Sequence, residues 1–171
     1  MASFEESLGV NRDRPLRAYL EDHLLGSEVG LRTARRLHRG TEGDLRDYVE
    51  ELVTRIPDEQ QILRETIVAA GRAVEPVALA SRAFGAATSL GVWMRRALPE
   101  PVPSTLEDVE ALIVGVRGKR LVWETMVRVA TADPGFDRWP FARLAAEAEV
   151  QERRLVGFHQ DAVRSMLGVT E

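Results

Sequence analysis

The residues of this chain best suited to chemistry are a few carboxylates and histidines set among apolar stripes: Glu59, Glu110, Glu124, Glu152, His23 and His159. Helical bundles that hold paired iron or manganese ions use just these side chains. One glutamate comes from each of two helices and a Glu-x-x-His pair from each of the other two. Here the spacing fails. Ile62 stands three residues after Glu59 and Leu155 three after Glu152, while His159 follows Glu152 by seven residues. Seven residues of helix are two turns, about 10 Å along the axis, too far for one ion. Arg120, a permanent cation, falls at the same level and can neutralise Glu59 or Glu152 through a bidentate pair. The plainer reading is therefore a buried ion-pair layer without metal. The competing one is a degenerate iron or manganese site drawn from Glu59, Glu110, Glu152 and His159.

No catalytic residue is assigned. There is no G-x-S-x-G, phosphate loop or dinucleotide fingerprint. Gly26-Ser27-Glu28-Val29-Gly30 suits close helix packing better than phosphate cradling. His23 reads as a core histidine lying against Glu124 or Glu149, and His38 as a solvated one near a helix end.

Four helices must position these groups. Residues 1–12 read as a loosely attached arm and 13–171 as a single four-helix-bundle domain. Asp13 is a good N-cap, with Pro15 in the first turn that follows. Leu16, Tyr19, Leu20, His23, Ser27, Leu31, Ala34 and Leu37 then share one face, and Gly40 and Gly43 end the run. A second stripe holds Leu45, Tyr48, Val49, Leu52, Ile56, Glu59, Leu63, Ile67 and Ala70. Pro57 should kink or divide that helix. Residues 72–103, rich in proline and glycine, are long enough to cross the length of a bundle. Their apolar group, with Trp93 at its centre, should pack along the bundle or recruit another chain.

The third helix opens on a capping box, Ser104-Thr105-Leu106-Glu107, and its inner face runs through Val109, Leu112, Val116, Arg120 and Trp123. Asp133-Pro134-Gly135 breaks the chain. The fourth helix starts around Asp137 or Pro140 and lines Phe141, Leu144, Ala148, Glu152, Leu155, His159, Ala162 and Met166 along one side. Ser27, Glu59, Arg120 and Glu152 each fall near the middle of their helix, so in an antiparallel bundle they could share one layer.

Composition narrows the function classes. A hydrophobic fraction of 44% with 29% charged residues is incompatible with wholesale disorder. No apolar run reaches the roughly 20 residues of a membrane span. A formal net charge of −4 argues against nucleic acid as a partner. Arg32, Arg35, Arg36 and Arg39 fit a helix C-terminus, where cations suit the macrodipole. The absence of cysteine fits a reducing cytoplasm.

Three stretches carry a resemblance. They are Tyr19-Leu20-Glu21-Asp22-His23-Leu24 with Leu31 and Ala34-Arg35-Arg36, then Glu110 with Gly115-Val116-Arg117-Gly118-Lys119 and Trp123, and last Ala148-Glu149-Val150-Gln151 with Leu155. In these the chain resembles the ferritin-like superfamily, and within it a group of bacterial ferritin-like proteins of similar length. The resemblance implies an all-α, antiparallel four-helix bundle with a long crossover between helices two and three. It departs from the metal-binding members, which carry Glu-x-x-His on helices two and four. Arg117 stands where that group would have an acidic residue, and His159 where it would have arginine. The expectation is a non-catalytic bundle without cofactor, acting through its surface as a homo-oligomer or on a protein partner.

Overall fold

The computed structural model describes the backbone over residues 2–71 and 104–168, and the side chains over residues 15–71 and 105–168. Four long helices account for most of it: α1 (Ala2–Gly40), α2 (Gly43–Ala70), α3 (Ser104–Ala132) and α4 (Phe141–Leu167), with a 3-10 turn at Pro134–Phe136. No strand occurs among the described residues, and none of the described helices is long and apolar enough to cross a membrane.

The turn chemistry explains the boundaries. Gly43 takes a positive φ of 65° as α2 begins, and Gly168 a φ of 67° as α4 ends. Side-chain crowding disfavours such angles everywhere but at glycine. The Asp133 carboxylate accepts the Gly135 N–H at 2.8 Å and caps the 3-10 turn that links α3 to α4. Two prolines are tolerated inside helices. α1 begins at Ala2 rather than at Asp13 and continues through Pro15. α2 is not divided at Pro57, which is exposed. On that outer face water can reach the carbonyl that proline leaves without a partner.

Side-chain pairs give the helix directions. Arg36, late in α1, meets Asp108, early in α3, and the position of a Cβ on Gly118 lies 3.9 Å from His23. These two helices are therefore antiparallel. α4 runs against both α2 and α3, since Glu51 meets Arg154, Arg55 meets Glu147, and Glu110 meets His159. Hence α2 and α3 run parallel, on opposite corners of a ring ordered α1, α2, α4, α3.

One core joins all four. Leu20, Ala34, Val49, Leu52, Val109, Trp123, Met126, Ala148 and Leu155 are 2% exposed or less, each leucine-sized burial contributing about 1.5–3 kcal/mol before entropy is counted. An aromatic plug closes the end where α3 hands over to α4. Trp123 stacks on Phe141 at 6.0 Å between ring centroids, and Trp139 lies 5.9 Å from Phe141 and 6.0 Å from Phe136. Met166, expected on the inner face of the last helix, is instead 54% exposed, because the core stops short of the α4 C-terminus.

Candidate functional site: a polar layer across the core

The inner faces of the helices meet near their midpoints in a band of polar groups. α2 contributes Glu59 and Gln60, adjacent residues that are both buried. α4 contributes the buried neighbours Gln151 and Glu152. Successive residues on a helix diverge by about 100°, so both can be buried only where the helix is flanked by two others. Each of these helices is so flanked in the ring. α3 brings Lys119 and Arg120, with the exposed Arg117 reaching in from the surface, and α1 brings Ser27.

Two knots result. In the first, Lys119 Nζ donates to Glu59 Oε2 at 2.7 Å and to Gln151 Oε1 at 2.6 Å. The Tyr48 hydroxyl donates to the Gln151 backbone carbonyl at 3.1 Å. In the second, Glu152 is gripped by two arginines. Arg117 Nη1 donates to its Oε1 at 3.3 Å, and Arg120 Nη1 stands 3.1 Å from its Oε2 as an ion pair without hydrogen-bond geometry. Arg120 Nε lies 3.3 Å from Glu124 Oε1. Nearby, Gln60 Nε2 donates to Ser27 Oγ at 3.0 Å, whose hydroxyl donates to the Leu24 carbonyl at 2.6 Å. Buried charge is tolerated when paired in this way.

The sequence-predicted residues are thus divided. Glu59 and Glu152 do lie in the layer, each against a cation. Glu110 and His159 do meet, Nε2 to Oε1 at 3.2 Å, but two turns nearer the α3 N-terminus. The four candidate ligands are not brought to one point, and no cluster of three or more histidines and carboxylates occurs among the described residues. Ser27 joins Gln60 rather than the charges. Arg120 selects Glu152, and Glu59 is neutralised by Lys119 instead. Lys119, Gln60, Gln151 and Arg117 were missing from the predicted layer. Their only sequence signal is adjacency to a residue already placed inside.

The remaining histidines differ from expectation. Burial holds the His23 pKa below its ordinary value, with the Asp22 carboxylate opposing. The Tyr19 ring meets it edge-on at 4.6 Å, while Glu124 pairs with Arg120 instead and Glu149 is exposed. His38 is half-buried, 3.9 Å from Glu50, rather than solvated. Of the four late arginines of α1, Arg36 is committed to a two-pronged pair with Asp108, at 2.8 and 2.5 Å, which raises its pKa further. Burial pushes the Tyr48 phenol up to about 12, with the Arg154 guanidinium over its ring opposing. The expectation for Trp93 lies outside the described residues.

Chemically the layer holds the helices in register. Its carboxylates are each engaged by a cation, and its lysine donates to two acceptors. Comparison with protein-family models, with curated proteins and with solved structures finds no match to this chain.

Proposed function

We propose that this protein is a non-catalytic, cytoplasmic helical bundle of ferritin-like type that has replaced a metal centre by internal cations and acts through its surface. The observation that carries this reading is the Lys119–Glu59 contact of 2.7 Å, together with Arg120 at 3.1 Å from Glu152. A metal centre needs its carboxylates free to converge on one ion. Here the positive charge that such an ion supplies comes from side chains of α3. The parallel course of α2 and α3 supports the ferritin-like part. Their joined ends lie at opposite ends of the bundle, which asks for a long crossover over residues 72–103.

The test is the metal content of the full chain purified without chelator. Less than a tenth of an equivalent of iron, manganese and zinc is expected. One or two equivalents per chain, lost in Glu59→Gln or Glu152→Gln, would overturn the reading and favour the iron or manganese alternative.

A further inference from the structure

Gly71, just past the end of α2, and Ser104, where α3 begins, stand at opposite ends of the bundle. Their helices occupy opposite corners of the ring. The chain that joins them therefore has two courses, over the outer side of α1 or over that of α4. Both of its ends lie beside α1. Arg17 Nη1 is 3.0 Å from the position of a Cβ on Gly71, and Asp108, one turn into α3, pairs with Arg36. From Arg17 to Arg36 is about 28 Å of helix, and residues 72–103 reach about 48 Å even when wholly helical. Length permits either course, so the surfaces decide between them.

The outer side of α4 is charged, with Arg143, Glu149, Arg153 and Arg154 exposed around Val150. The seam between α1 and α3 is apolar. Leu25, Val29 and Arg36 share one edge of α1, at steps of four and seven residues, and the Arg36–Asp108 pair shows that this edge borders α3. On α3, Gly118 faces His23 of α1, and Val114 and Leu121 flank it four residues before and three after. Val114 is 70% exposed, Leu121 48%, Leu25 42% and Val29 39%. Asp22 and Arg32 bound the α1 part of the patch. The charges at the outer edge of α3 are engaged away from the seam, Arg117 by Glu152, Glu110 by His159 and Glu124 by Arg120.

We propose that residues 72–103 take the course over α1, and that their apolar group of Leu90, Val92, Trp93, Met94 and Leu98 docks on the α1–α3 seam over Leu25, Val29, Val114 and Leu121. Position along the chain agrees with this. The joining segment arrives at the end of the bundle from which α3 departs, so the chain doubles back at Ser104. Trp93 precedes Ser104 by eleven residues and Val114 follows it by ten, which brings the two to one level. Docking there removes apolar surface of both partners from water, whereas the course over α4 would lay the same side chains on charges. The inference rests on the long crossover of the proposed function, and it withdraws the seam from any protein partner.

The sequence has no cysteine of its own, so introduced cysteines in the full chain report on the course. At high dilution a short bismaleimide should join Trp93→Cys to Val114→Cys within one chain, and should not join Trp93→Cys to Val150→Cys. Singly, Val114→Cys should react with a maleimide at least about tenfold more slowly than Val150→Cys, because a covered thiol is out of reach. Without the docked segment the order would be the reverse, since Val114 is the more exposed of the two at 70% against 54%. Leu121→Lys should lower the melting temperature by several degrees, and Val150→Lys should leave it unchanged. A folded chain that links Trp93→Cys to Val150→Cys or to neither position, or equal thiol reactivity at the two sites, would overturn the proposal. So would a dimer that Leu121→Lys converts to monomer with an unchanged dilute melt, since a second copy would then be the cover. The reactivity comparison leaves Trp93 in place, and it decides by itself if Trp93→Cys unfolds the chain. Metal content is read separately. A metal-loaded chain with a covered seam defeats the proposed function and keeps this course, and a metal-free chain with an open seam does the reverse.

Discussion

Lys119 Nζ lies 2.7 Å from Glu59 Oε2 and 2.6 Å from Gln151 Oε1, so one ammonium on α3 ties α2 to α4 through the middle of the core. The side chains are 15% and 9% exposed for Lys119 and Glu59. Among the described residues Glu59 has no second cation within ion-pair distance.

Lys119→Met should therefore strand the Glu59 carboxylate and cost about 3–5 kcal/mol, the usual scale for breaking a buried pair from one side. Lys119→Met combined with Glu59→Leu should recover most of that loss, because no charge is left without a partner. Urea unfolding of the two singles and the double gives the coupling. Additive losses would show that the two side chains do not act as a pair.

The second knot is cushioned. Glu152 keeps Arg117 if Arg120 is lost, and Arg120 keeps Glu124 if Glu152 is lost. Arg120→Leu and Glu152→Leu should thus each cost only about 1–2 kcal/mol, below the 3–5 kcal/mol of an isolated buried pair. Removing Arg117 and Arg120 together should exceed the sum of the two singles. Denaturant midpoints of the three variants decide this, and an Arg120→Leu loss as large as that of Lys119→Met would contradict it.

Tyr48 links pH to stability. Its phenol is raised to about 12 in the folded chain, chiefly by burial, against about 10 for an unfolded tyrosine. The folded state then holds its proton more tightly than the unfolded state does. The contribution is fully present below pH ~10 and is lost as pH rises toward ~12. Tyr48→Phe should flatten that alkaline fall. At neutral pH it should cost about 1 kcal/mol, the worth of the hydrogen bond to the Gln151 carbonyl. Melting temperatures of both proteins from pH 7 to 11 supply the comparison, and parallel alkaline slopes would remove Tyr48 as the cause.

What the sequence determined by itself was the helices and their inner faces. A 3.6-residue period brings Tyr48, Val49, Leu52, Ile56, Glu59 and Leu63 onto one side whatever surrounds them, and all six are buried. The breaks at Gly40, Gly43 and Asp133-Pro134-Gly135 were likewise legible, because turn geometry is a local property of the chain. Glu59, Arg120 and Glu152 stood out as polar residues on apolar faces, and they do lie inside or at its edge. Which charge meets which was left to the tertiary structure. Glu59 turns to Lys119 because α2 and α3 are parallel at opposite corners of the ring. Lys119 projects toward that diagonal, while Arg120, one residue and about 100° further round, faces α4. Periodicity says how far inside a residue sits, but not which neighbouring helix it faces. Only the order and direction of the helices decide that.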